Sequence, residues 1–494
     1  MEKQTRNPAV LVIGAGMSGI LLGIKLREAG ITDITIVEKG DGVGGTWREN
    51  TYPGVSCDVP AHMYAYSFEP FVGWDDRFAE GAQIRQYFEQ TADKYGITEL
   101  VRFNEEVTAA QYRDGRWQVT TSKGDALSVD FIVAATGILH HPSVPDIPGL
   151  SDFAGTAFHT ARWDHKLDFS GKRVGVIGTG STAAQVIPAL VNQGVPVSIF
   201  QRTPQWMFPR PDAHYSPLYK KTLARLPFLA TLIGRLWAWY YAQMFAKMVI
   251  GKPLQFWITD RIVRRNLEKA VANPELRAKL TPDYRVGCKR LVLASDFFEA
   301  VQQPHCELIT DDVDHVEPDG IVTRDGNKHP LDVLVLATGF HHLNFMRPMD
   351  LTGRDGIHIE TAWQQQCLSY RSVTIPGFPN FFLMTGPNSP VGNFSVTRVA
   401  EVQADYMMKL IRRWQQGEFD AIEPRPDAAD SFLSRIKANM TGTVWTGGCQ
   451  SWYLDPTGTP ALWPFTFGQW VEEMREPNLA DFDVYRSTSV SVNS

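Results

Sequence analysis

The stretch AVLVIGAGMSG at 9–19 decides the fold. Ala9 to Ile13 is a short apolar run of the kind buried on both faces of a parallel sheet. Gly14, Gly16 and Gly19 follow at GxGxxG spacing, and ILLGIKLREAG at 20–30 has helical periodicity. ITIV at 34–37 is a second apolar strand, closed by Glu38. Strand, glycine turn, helix, strand is a βαβ unit in which each glycine has its own task. Gly14 permits the tight turn, Gly16 lets the backbone approach a pyrophosphate, and Gly19 allows helix and strand to pack closely. The helix N-terminus directs its amides and partial positive charge at the phosphates.

The same plan recurs downstream. RVGVI at 173–177 leads into Gly178, Thr179, Gly180, Ser181, Thr182 and Ala183, then a helical AQVIPALVNQG and the strand VSIF at 197–200. A short apolar strand ending in Ala-Thr-Gly also occurs twice, FIVAATG at 131–137 and VLVLATG at 333–339. Two units predict an α/β fold with two Rossmann-like dinucleotide-binding domains. The simplest layout builds one domain from 1–150 and 341–494 and inserts the other as 151–340. A helical, Trp- and Tyr-rich insertion at about 205–285 belongs to the second.

One position separates the two cofactors. Glu38 stands nineteen residues after Gly19, where an acid binds both ribose hydroxyls and repels a 2′-phosphate, so the first site takes FAD or NAD. Arg202 stands nineteen residues after Ala183, where a guanidinium pairs with a 2′-phosphate. The expectation is FAD in the first turn and NADPH in the second.

Length and charge set outer limits. At 494 residues the chain is too long for one core. The net charge of −6, without a basic run, argues against nucleic acid. Cys57, Cys288, Cys306, Cys367 and Cys449 lack metal-ligand spacing, and we expect reduced thiols in a cytoplasmic protein with no metal. No signal peptide fits the first residues. Leu226 to Ile250 is apolar over about the length of a bilayer but is interrupted by Arg235 and Lys247. It reads as a helical cap over a greasy pocket, with peripheral membrane contact as the alternative and a true span disfavoured by the buried charge. The polar last ten residues are expected to fray.

Two further stretches are specific. FAGTAFHTARWD at 153–164 fits FxGxxxHxxxW[PD], and GGTWRENTYPGVSCD at 44–58 is a second long signature. Together they resemble the fingerprints of type I Baeyer–Villiger monooxygenases, in a layout that covers nearly the whole chain. The resemblance implies hydride transfer from NADPH to FAD, oxygen activation as a C4a-peroxyflavin, and insertion of one oxygen atom of O₂ beside a ketone carbonyl to give an ester or lactone. It implies Arg290 as the catalytic cation and Asp58 as its orienting partner, with Lys289 beside Arg202 at the NADPH phosphates. Ser18, Gly45, Thr46, Trp47 and Tyr64 are implied to line FAD, with Val107 at its adenine end, and Thr182, Gln185 and Gln201 to lie near NADP. His159 and Trp163 are implied to couple the domains rather than perform chemistry. Trp445 to Trp470 is either pocket wall or aromatic core. Oxygenation of sulfur or nitrogen is the nearest alternative. A disulfide reductase would need a CxxC or CxxxxC pair near the first turn, which this sequence lacks, and a non-catalytic redox sensor is the third. The apolar insertion points to a bulky or lipophilic ketone, and oligomeric state is left open.

Overall fold

A computed structural model describes residues 6–392, 394–449, 451 and 453–486. The expected fraying of the C-terminus falls largely on 487–494, and Trp452 belongs to the Trp445–Trp470 stretch; these lie outside the described residues.

Two five-stranded parallel sheets organise the chain. The first has the order 381–383, 131–134, 10–13, 34–37, 101–102, so its strands come from both halves of the sequence. The second has the order 306–309, 197–200, 174–177, 333–336, 156–159 and is continuous in sequence. The strands Val10–Ile13, Phe131–Ala134 and Val333–Leu336 are buried along their length, as apolar runs between helical layers must be. Helix Met17–Glu28 packs against helix Val396–Gln415, joining the two ends of the chain over the first sheet. A four-stranded sheet containing Val107–Arg113 flanks the first unit, and a three-stranded one containing Val313–Glu317 flanks the second.

The sequence repeat is repeated in space. Gly14 (φ +101°) passes so close to the first Ala-Thr-Gly strand that an added Cβ would lie 2.7 Å from the Ala135 carbonyl oxygen. Gly178 (φ +116°) meets the equivalent Ala337 carbonyl oxygen at 2.5 Å. Only glycine satisfies both the backbone angle and the gap. Each helix opens with the same hydrogen bond: Ile20 N–H donates to Gly16 O (3.0 Å) and Ala184 N–H to Gly180 O (2.9 Å).

The insertion is helical at Pro217–Arg225, Pro227–Tyr241, Pro253–Ala270 and Pro274–Lys279. The apolar run from Leu226 stays helical past Tyr241, but a π-turn at Ala242–Ala246 shifts its register before the final turn Lys247–Val249. Among the described residues no helix is long and apolar enough to cross a membrane. Helix Pro227–Tyr241 lies against Ala61–Tyr64, where a Cβ on Gly234 would approach the His62 carbonyl oxygen to 2.3 Å.

The expectation of five reduced thiols is corrected. Cys288 and Cys449 form a disulfide across 161 residues, with Cα atoms 6.2 Å apart, whereas Cys57, Cys306 and Cys367 are free. Spacing along the chain carries no trace of this pair. The C-terminal loop crosses onto the loop preceding Arg290, and only that crossing makes them neighbours. In the same segment Trp463 and Trp470 are wholly buried, so they serve as core, while Ser451 faces the cavity described below.

Candidate functional site

The two glycine turns face each other across one large cleft of about 1240 Å³. On the first wall stand Gly14, Gly16, Ser18, Glu38, Gly45 and Thr46, with Trp47, Tyr64 and Val107 beyond them. A Cβ on Gly45 would come within 2.8 Å of Gly16 Cα, so bare backbone faces bare backbone where the first turn opens. The helix behind it has no side-chain cap, which leaves its first amides available for phosphate oxygens. Trp47 donates its indole N–H to the Tyr64 hydroxyl (3.0 Å), with the rings edge-to-face at 5.6 Å. Burial raises the Tyr64 phenol, keeping it neutral.

Glu38 does more than the sequence implies. One carboxylate oxygen accepts the Ala15 amide (2.7 Å) and the other the Gly40 amide (2.8 Å), so the acid holds the glycine turn itself. Each oxygen has a second lone pair, and Glu38 still lines the cleft, so two hydroxyl groups can be accepted as well.

Gly178, Thr179, Gly180, Ser181 and Thr182 line the second wall, followed by Gln185, Gln201, Arg202, Lys289 and Arg290. A Cβ on Gly180 would meet nothing within 4 Å, so this turn opens straight into the cleft. Burial, and then the neighbouring charge of Arg202, lowers the Lys289 ammonium. Neither cation has a carboxylate within salt-bridge distance among the described residues. Asp283 acts on Lys289 only from beyond that distance, and two adjacent cations outside any salt bridge suit a dianionic phosphate. Gln201 donates to the Lys279 carbonyl (2.8 Å) and Thr179 to the Thr203 carbonyl (2.7 Å), so part of the second wall is committed to shaping its own loop.

Between the walls, Arg290 forms a hydrogen-bonded ion pair with Asp58. Asp58 ends the Gly44 signature of the first unit, and Arg290 follows the loop of the second, so the pair spans the junction. The carboxylate is the main reason that the guanidinium is held still further above its ordinary range, fixing the positive charge. Tyr453, pushed up to about 12 by burial, and the buried thiol of Cys57 stay neutral beside the pair.

Four of the predicted residues do not line the cleft. Gly19 works by packing: a Cβ there would sit 1.9 Å from the Gly14 carbonyl oxygen. Ala183, its counterpart, is wholly buried in the second core. His159 accepts the Ala161 amide at Nδ1 (3.1 Å) and donates from Nε2 to the Gly339 carbonyl (3.0 Å), and burial lowers its pKa, so it is a neutral strut at the crossover between the units. Trp163 packs edge-to-face on Phe158 and stacks on Phe169.

Sequence reasoning missed a second tie between the units, beside the Arg290–Asp58 pair. Tyr52 donates its hydroxyl hydrogen to Gln185 Oε1 (3.0 Å), and Gln185 Nε2 donates to the Ser56 carbonyl (3.0 Å). Arg210, from the insertion, donates to the Ser56 hydroxyl (2.7 Å). Tyr52 and Ser56 lie within the Gly44–Asp58 signature, which was the available signal. His140 and His141 also line the cleft, and burial pushes His140 down to about 3. Their position three and four residues after the first Ala-Thr-Gly strand is the only hint in the sequence.

The chain resembles known proteins along nearly its whole length. Residues 11–230 match the pyridine nucleotide-disulphide oxidoreductase family model. An uncharacterised monooxygenase of Mycobacterium tuberculosis is 45% identical over 489 residues, covering 99% of this chain and 98% of that one. A Baeyer–Villiger monooxygenase of Streptomyces coelicolor is 38% identical over 498 residues, covering 100% of this chain and 96% of its own. The crystal structure of OTEMO in complex with FAD and NADP superposes with a TM-score of 0.86 at 26% identity, over 97% of this chain and all of that one. With two facing nucleotide turns joined by an Asp–Arg pair, and full-length identity of this degree, the chain belongs to the Baeyer–Villiger monooxygenase family.

Proposed function

We propose that this chain binds FAD in the first turn and NADPH in the second, and inserts one oxygen atom of O₂ beside the carbonyl of a bulky or lipophilic ketone to give an ester or lactone. The observation that carries the reading is the Arg290–Asp58 pair at the junction of the two walls. The glycine cradle and the acid at Glu38 suit FAD, and the Arg202–Lys289 pair suits the 2′-phosphate of NADPH. The presence of both nucleotides in the OTEMO structure supports the same assignment.

When bound, NADPH supplies the hydride and the flavin the oxygen-activating chemistry. This chain's residues do the rest. Arg290 holds a permanent positive charge at the junction, where anionic oxygen developing on the substrate is stabilised without a proton having to move. Asp58 fixes the direction of the guanidinium. Tyr64, Tyr453 and Cys57 surround the pair with neutral groups, lowering the local dielectric and strengthening that charge. The Tyr52–Gln185–Ser56 chain keeps the walls in register.

The test is product analysis with purified holoprotein, NADPH and ¹⁸O₂ over a panel of ketones and thioethers. A ketone that becomes an ester carrying one labelled atom is the expected result. NADPH oxidation that yields only hydrogen peroxide, or only sulfoxide, would overturn the ester-forming assignment. Equal or better turnover of small polar ketones would overturn the lipophilic one.

A further inference from the structure

Helix Pro227–Tyr241 has two faces of different character. Ala230, Gly234 and Tyr241 are buried on the inner one. Phe228, Leu232, Leu236 and Trp239 recur at intervals of four, four and three, placing them on one outer stripe, and they are 63%, 48%, 57% and 63% exposed. On the neighbouring helices of the insertion, Leu218, Leu254 and Trp257 are exposed as well. Isolated exposed apolar residues need no explanation, but a continuous stripe of Phe, Leu and Trp on one helix does.

The charge of the same region says what covers it. Between residues 217 and 265 there are nine Lys and Arg side chains and a single acid, Asp260, in a chain whose net charge is −6. Lys220 pairs with Asp75 and Arg264 with Asp260. Lys221, Arg225, Arg235, Lys252 and Arg261 are exposed with no carboxylate within salt-bridge distance among the described residues. Arg235 stands on the apolar stripe itself, and Arg261 lies over the Trp257 ring at 5.6 Å. An aliphatic and aromatic stripe set among unpaired cations is the composition of a helix that lies in an anionic membrane interface, where long basic side chains reach the headgroups.

We propose that the insertion docks peripherally on an anionic lipid bilayer through the Phe228–Leu232–Leu236–Trp239 face. A second copy of the chain is a poorer occupant. A two-fold interface would set this basic rim against itself, whereas lipid headgroups neutralise it. Docking needs no span, and among the described residues no helix is long and apolar enough to form one. It goes beyond the assigned reaction and does not rest on it.

The experiment is flotation of the purified holoprotein with phosphatidylcholine vesicles prepared with or without phosphatidylglycerol. The wild type is expected to float with the anionic vesicles, to stay behind with the neutral ones, and to be released by salt. The double variant Leu232→Glu/Leu236→Glu, checked for retained flavin and unchanged thermal unfolding, should lose at least about tenfold in bound fraction. If it fails to fold, Arg225→Glu/Arg235→Glu makes the same test on the charge. Wild-type protein that ignores anionic vesicles would overturn the proposal, as would folded variants that bind undiminished. A wild-type dimer in sedimentation velocity that the Leu variant dissolves, without vesicle binding, would assign the face to self-association instead.

Discussion

The two glycine turns are built alike and finished differently. Each passes a left-handed glycine under the carbonyl of an Ala-Thr-Gly strand, at Ala135 or Ala337, and each starts its helix with the same hydrogen bond. They diverge in what surrounds the phosphate. The first is locked to its acid, because Glu38 accepts the Ala15 amide of the turn and the Gly40 amide of its own loop, and it faces Gly45 at backbone distance. The second is open, with nothing opposite Gly180 and two cations beside it. A closed cradle suits a nucleotide that stays, and an open one a nucleotide that comes and goes. On the assignment proposed above, one architectural unit serves as a prosthetic-group socket and as a substrate port through changes in a few side chains.

The sharpest way to break the comparison is to fill each turn in turn. Gly14→Ala puts a Cβ against Ala135 O on a backbone that already costs about 1–3 kcal/mol for a non-glycine residue. We expect loss of flavin absorbance, or no folded protein. Gly178→Ala is expected to stay yellow and lose NADPH oxidation; flavin loss there as well would mean that the two turns are not separate devices. Next is the residue that joins them. Arg290→Ala should keep both nucleotides and lower ester formation by about a hundred- to a thousandfold, measured as product per NADPH consumed. Undiminished product would move the charge-stabilising role elsewhere. A smaller effect attends the port alone. Arg202→Ala removes one charge-assisted contact of roughly 1.5–3 kcal/mol, so the ratio of NADPH to NADH in kcat/KM should fall about ten- to 150-fold. An unchanged ratio would take Arg202 out of the phosphate site.

The smallest effect is on pH. Lys289 is lowered by burial and by Arg202, so it loses its proton as pH rises, earlier than an ordinary lysine. NADP affinity should therefore weaken on the alkaline side, and Lys289→Met should flatten that limb in a titration of Kd against pH. Flavin retention in the first turn does not involve Lys289 and should be level over the same interval. An identical alkaline limb in the Met variant would show that another group controls it.

What could be read from the sequence follows from how far its signals reach. The βαβ periodicity, the glycine spacing and the acid-versus-arginine contrast at Glu38 and Arg202 are local patterns, and apart from the packing positions Gly19 and Ala183 the turn residues they name line one cleft. The Arg290–Asp58 contact was available only through resemblance, since nothing in the spacing of these residues marks a pair 232 positions apart. The Cys288–Cys449 bond was misjudged for the same reason. Gln185 is expected near a nucleotide, and its three hydrogen bonds with the Tyr52–Ser56 loop are visible only where the units meet. Leu226–Ile250 posed another difficulty. Its inner and outer faces are both apolar, so periodicity could not tell the buried stripe from the exposed one; only its neighbour at Ala61–Tyr64 decides.

The order of strands in the first sheet bears on how the chain is made. The second sheet is complete once the ribosome has passed residue 336, but the first still lacks the edge strand Phe381–Leu383 and the helix Val396–Gln415 that covers its own first helix. At about 5–20 residues per second, roughly 10–50 s separate synthesis of the strand Phe131–Ala134 from that of the partner it pairs with. Through that interval the strands Val10–Ile13 and Phe131–Ala134, buried along their length in the finished sheet, lack part of their cover. The sheet that carries the first glycine turn is thus completed after the one that carries the second, although its own turn comes first in the chain.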